Sequence, residues 1–142
     1  MFSKPEKLLW APQGKIIRNL PKLPQIMCTG GLFRIPQRTD PFDLDFPIIS
    51  DLITEWESLD KIPTKIREIC SETSDRTLKL KGYDDDSTKK IRQELGALGY
   101  SIVRTGTVRN FIFPHDSVPK KVKNFLKKAR FMDVRQFSLG LH

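Results

Sequence analysis

"LKLKGYDDDSTKK", residues 78–90, decides how the second half of the chain is read. Leu78 and Leu80 alternate with Lys79 and Lys81 at the strand period of two, Gly82 halts the run, and Asp84, Asp85 and Asp86 lead into lysines. A strand that ends in a glycine turn and passes through acids into a helix accounts for each of these features. Reading downstream, "RTLKLKGY" predicts a strand. "DSTKKIRQELGALG" predicts a helix with Ile91, Leu95 and Leu98 on one face and Gly99 at its exit. "YSIVRTGTVRNFIFP" predicts a strand pair pivoting near Thr105–Gly106. "DSVPKKVKNFLKKARF" predicts a final helix lined by Val118, Val122, Phe125, Leu126 and Ala129, and "MDVRQFSLGL" a closing strand. The resulting order over residues 75–142, β-α-β-β-α-β, is that of an α+β, ferredoxin-like sandwich with two helices on one face of an antiparallel sheet.

Upstream of the strand, residues 48–74 read as a helical segment. Ile48, Ile49, Leu52, Ile53 and Trp56 fall on one helical face, with Asp51, Glu55 and Glu57 off it. A second short helix, "KIPTKIREICSE", tolerates Pro63 in its first turn and turns Ile62, Ile66, Ile69 and Cys70 inward. Residues 1–47 contain seven prolines, and Gly30–Gly31 adds another break, so this part is expected to be an extended basic arm, neither helix nor central strand. Its apolar residues, among them Leu8, Leu9, Trp10, Ile16, Ile26, Leu32 and Phe33, want burial, which implies an arm laid over a partner surface. The same acid-poor, basic start fits a mitochondrial transit peptide over about the first 25 residues, but the prolines oppose the amphipathic helix such a peptide forms.

Charge is distributed unevenly along the 142 residues. Residues 1–39 carry +6, residues 40–100 carry −5 and residues 101–142 carry +7, for a net +8. Basic ends around an acidic middle are expected of a chain lying on a polyanion, because each neutralised phosphate releases counterions; the plainer alternative is that the excess charge only maintains solubility. No apolar run approaches the ~18–20 residues of a membrane span, and no secretory-signal layout is seen. Cys28 and Cys70 are widely spaced and outside any CxxC, so neither a disulfide framework nor a zinc site is expected.

Catalytic signatures are lacking. His115 and His142 are the only histidines, and no GxSxG, HExxH, Walker or GxGxxG motif occurs, so the chain is expected not to be an enzyme and to need no cofactor or metal. The three aspartates stand where helix amides are unpaired, and capping explains them without a metal. The basic residues form the stronger constellation. Lys120, Lys123, Lys127 and Arg130 recur at helical spacing, joined by Lys121 and Lys128, opposite the apolar face. With Lys15, Arg18, Lys22, Arg34 and Arg38 of the arm, and Arg104 and Arg109 beside the hairpin, they are the expected RNA contacts. A solvated lysine face is the competing reading of the helix. Phe111 and Phe113 share a strand face and could stack bases, but they read as core.

Two stretches resemble the small-subunit ribosomal protein ten family. "TLKLKGYDDD" looks like its first strand and turn, and "NFIFPHDSVPKK" like a later strand leading through a Pro-His pair into lysines that open the second helix. The matched positions are Lys81, Gly82, Tyr83, Asp84, Pro114, His115, Lys120 and Lys121, within about residues 75–140. The family's long hairpin is reduced here to the neighbourhood of Thr105–Gly106. The resemblance implies a ferredoxin-like ribosomal protein; similar domains with added arms occur in mitochondrial ribosomes. The expectation is therefore a structural component that binds rRNA or another structured RNA and neighbouring proteins, mitochondrial or else cytoplasmic, with no homo-oligomer implied. The alternative is a protein-interaction subunit of a viral or organellar complex, holding a partner helix on Ile48–Trp56.

Overall fold

The computed structural model describes residues 7–10, 16–20, 25–33, 47–58, 63–82, 86–103 and 105–140. The described elements run β1 (Lys7–Trp10), β2 (Ile16–Leu20), β3 (Ile26–Leu32), α1 (Ser50–Ser58), α2 (Pro63–Leu80), α3 (Ser87–Leu95), β4 (Gly99–Ile102), β5 (Val108–Pro114), α4 (Val122–Lys128) and β6 (Met132–Leu139). Strands β1 and β2 pair as an antiparallel hairpin. The other four form one antiparallel sheet in the order β4-β5-β3-β6, accompanied by the four helices in an α+β arrangement.

Two expectations are corrected. Residues 26–32, assigned above to an extended arm, form β3, a central strand paired along its length with β5 and β6. The strand lies in a proline-free window between Pro24 and Pro36, so its amides are available to both neighbours. Its glycines are close-approach positions, not a break. A Cβ on Gly30 would stand 2.6 Å from the Asn110 Cα, and one on Gly31 2.5 Å from the Met132 carbonyl oxygen.

The second correction concerns the stretch that opened the reading. Residues 76–80 are not a strand but the last turns of α2, an 18-residue helix. Its inward stripe includes small polar residues that hide the helical period. The hydroxyls of Ser71, Thr73, Ser74 and Thr77 donate to the carbonyls four residues back, at 2.8–2.9 Å. Self-bonded in this way, Ser74 and Thr77 are buried beside Ile69 and Leu78 at little polar cost.

Helix α2 also closes one edge of the sheet. The amides of Tyr100 and Ile102 in edge strand β4 donate to the Ser71 and Ser74 hydroxyls at 3.1 and 3.0 Å. Each serine thus accepts from a strand and donates within a helix, which satisfies amides that an uncovered edge would leave to water or to another chain. The main core lies on one face of the sheet, where Tyr100, Ile102, Phe111 and Phe113 meet Leu78, Leu95, Val122 and Leu126. The rings of Phe33 and Phe131 stand 5.0 Å apart, and Phe111 meets Phe131 edge-on at 6.1 Å. A smaller cluster of Ile26, Cys28 and Ile112 lies on the other face, with Cys70 against it.

The remaining segments follow the sequence reading closely. Strands β4 and β5 join through a turn in which the Gly106 amide donates to the Val103 carbonyl, with Gly106 at φ 76°. Helix α3 ends earlier than expected: Gly96, at φ 65°, caps it by donating to the Arg92 and Gln93 carbonyls, and Gly99 opens β4 instead. Among the described residues no helix is long and apolar enough to cross a membrane.

Candidate nucleic-acid interface

Helix α4 is anchored by Val122 and Leu126, both fully buried, with Phe125 partly so. A seven-residue helix cannot hold itself together in water, so this packing sets its orientation and the side its lysines present. Lys120, Lys121, Lys123, Lys127, Lys128 and Arg130 are all exposed, in and beside the helix. None of the six is paired with a carboxylate among the described residues.

The charges sit differently at the two ends of the helix. Lys127 and Lys128 lie in the last turn, where the macrodipole favours cations. Lys120, Lys121 and Lys123 cluster at the opposite end. The N-cap is Lys121, without a side-chain capping bond, and the first turn holds no acid. Cations at a helix N-terminus oppose the dipole by roughly 0.3–1 kcal/mol each at exposed positions. Arg130 then ends the helix at φ 69°, the left-handed region where glycine usually stands. Its amide donates to the Lys127 carbonyl and that of Phe131 to the Leu126 carbonyl.

Arg109, expected among the RNA contacts, is not on this surface. It is 0 % exposed, because its place on β5 shares the inward register of Phe111 and Phe113. Its Nη1 donates to the Thr88 hydroxyl at 2.6 Å and its Nε to the Gly106 carbonyl at 3.1 Å, with the guanidinium carbon 4.2 Å over the Phe33 ring. It ties α3, the hairpin turn and the residue that follows β3 together. The alternation Arg109-Phe111-Phe113 was the available sequence signal. Lys15, Lys22, Arg34, Arg38 and Arg104 lie outside the described residues, and Arg18 falls in β2, with only its backbone described. Phe111 and Phe113 are core.

Reactive groups are quiet. Burial, and then the nearby Cys70, push the Cys28 thiol up to about 11, and burial raises Cys70 as well, so neither is a thiolate at neutral pH. Burial and the bond to Asp75 push the Tyr100 hydroxyl well above its usual value, and it serves as a donor to that carboxylate. Asp86 occupies the N-cap of α3 but makes no side-chain capping bond, so the expected capping reduces to its charge near the dipole; Asp84 and Asp85 lie outside the described residues. His115 sits exposed in the turn after β5. Among the described residues no three His, Cys, Asp or Glu side chains come together as a metal site.

No protein-family model, curated protein or solved structure matches this chain.

Proposed function

We propose that this protein is a non-catalytic, RNA-associated structural component that takes up structured RNA, of the rRNA kind, on the Lys120–Arg130 face, within a ribonucleoprotein particle such as the mitochondrial ribosome. The observation that carries the reading is the trio Lys120, Lys121 and Lys123 at the dipole-opposed end of α4, exposed and unmatched by acid. A phosphate backbone supplies the missing countercharge and releases its own counterions on binding.

The sheet supports a ferredoxin-like reading in which β3, β4, β5 and β6 serve as first to fourth strands, every neighbouring pair being antiparallel. The first strand then comes from residues 26–32, and three helices fill the first crossover. The resemblance to the small-subunit ribosomal protein ten family rests on "NFIFPHDSVPKK", which runs from strand through turn to lysine-rich helix. Its other half falls on the end of α2.

The test is binding of the full chain to a structured RNA hairpin over a salt series. Replacing Lys120, Lys121 and Lys123 by alanine is expected to flatten the log K against log salt slope by about 0.7–0.9 per lost phosphate contact. An unchanged slope refutes the assignment. Co-sedimentation with ribosomal particles, abolished by RNase, tests the proposed setting.

A protein-docking role has its own observation. Leu52 is buried, its neighbours Ile49, Ile53 and Trp56 line a hollow of about 250 Å³ with Ile69 and Ile102, and Ile48 is 82 % exposed beside the exposed Leu80. Ile48→Glu that abolishes capture of a protein partner while leaving RNA binding intact favours this second reading.

A further inference from the structure

The two faces of the sheet offer aromatic rings very differently. Phe111 and Phe113 are closed off under the helices, whereas Phe137 on β6 stands 41 % exposed on the other face. It forms one wall of a concave surface of about 280 Å³ that also includes Gly30, Gly31, Asn110, Asp133 and Arg135.

The register builds this surface. Gly30 lies opposite Asn110 on one side and Arg135 on the other, and Cys28, the next residue of β3 on that face, lies opposite Phe137. Residues directly opposite share a face, so an amide, a guanidinium and a ring are grouped around the buried Gly30. The Asn110 Oδ1 leans over Gly30, close to where a Cβ would stand, so a flat group meets the amide edge there and the Phe137 ring beside it. The Asn110 side-chain amide has no hydrogen bond among the described residues and presents a donor and an acceptor together. Arg135 donates to Asp133 at 3.1 Å, so the two charges cancel. A phosphate gains little in such a site, while an uncharged ring with a polar edge fits it. The volume is ample for a purine, given that an apolar cavity of about 150 Å³ holds benzene.

Along the chain the β6 side of this surface begins just after the basic helix. Arg130 precedes Asp133 by three residues, which span at most about 11 Å. A strand whose phosphates lie on Lys127, Lys128 and Arg130 would have to pass round edge strand β6 to meet this face.

We propose that this surface is a subsite for one unpaired nucleobase of an RNA strand, its ring stacked on Phe137 and its edge bonded to the Asn110 amide. The inference rests on the RNA-binding reading above and adds a preference for RNA with unpaired bases. Stacking of this kind tolerates any base, because each has a π-face.

The experiment uses the full chain with two probes, a single-stranded oligoribonucleotide carrying 2-aminopurine and a blunt RNA duplex. The expected result is quenching of the 2-aminopurine by the wild type. Phe137→Ala abolishes the quenching and weakens single-strand binding roughly 5- to 150-fold, with duplex binding unchanged. Phe137→Tyr restores both. Asn110→Ala, which leaves the ring in place, weakens single-strand binding and keeps the quenching at saturation, and serves as the second variant should Phe137→Ala fail to fold. Lys120→Glu with Lys121→Glu weakens both RNAs but keeps the quenching at saturation. Full quenching by Phe137→Ala overturns the subsite. Wild-type binding to duplex without single strand overturns the subsite alone, and binding to neither overturns the RNA reading with it.

Discussion

Helices α2 and α4 handle their polar residues in opposite ways. In α2 the small hydroxyls turn inward, bond to the helix itself and hold the edge of β4, and several of the outward charges find partners. Arg76 bridges Asp51 and Glu72, and Lys65 lies between Glu55 and Glu68. In α4 the inward side is purely apolar, and the outward lysines have no carboxylate within reach among the described residues. The first helix uses its polar groups to close the fold. The second leaves them facing outward.

This contrast can be broken at several points. The largest effect is expected within α4 itself: Leu126→Ala should lower stability by about 2–5 kcal/mol in urea unfolding, while Lys127→Ala next to it stays within about 0.5 kcal/mol. Similar losses from both would mean that the lysine side also carries the fold.

A middle-sized effect tests α2. Ser74→Ala leaves the Ile102 amide without its acceptor, and a buried unsatisfied donor costs about 1–3 kcal/mol. Hydrogen exchange at Ile102 should accelerate with it. Unchanged exchange would show that the strand edge is held by packing alone.

The smallest effect belongs to the surface ion pair. The bonds from Arg76 hold the Asp51 carboxyl down at about 2, below its unfolded value of about 3.9. A depressed folded pKa contributes stability that is complete above the unfolded value and is lost as pH falls through the folded one. Wild type and Asp51→Asn should therefore differ slightly at pH 6, and the gap should close between about pH 4 and 2. Salt should shrink it too, since the pair is exposed. A gap that persists at pH 2 would assign the difference to something other than the carboxylate.

Much of the second half was legible in the sequence because its signals are local. The β4–β5 hairpin around Gly106, the helices α3 and α4 and the strand β6 all show their period within a few residues of themselves, and the Lys120–Arg130 face follows directly from helical spacing. The readings that failed depended on partners far away in the chain. Gly30 and Gly31 signal a break until strands at residues 108–114 and 132–139 are brought against them. Arg109 reads as a phosphate contact until Thr88 and Phe33 are placed around it. Phe137, embedded in a loosely alternating stretch, is brought beside Asn110 and Arg135 only by strand pairing.

By itself, then, the sequence determined an α+β chain with a basic, apolar-backed helix near its end, because composition and short-range periodicity are properties of neighbouring residues. Only the tertiary structure decided which segment became the central strand, and that "LKLK" would be helix. Strand pairing and the burial of self-bonded hydroxyls depend on what lies opposite a residue in space, and an alternation of four residues is too short to outweigh an 18-residue helix packed along the edge of a sheet.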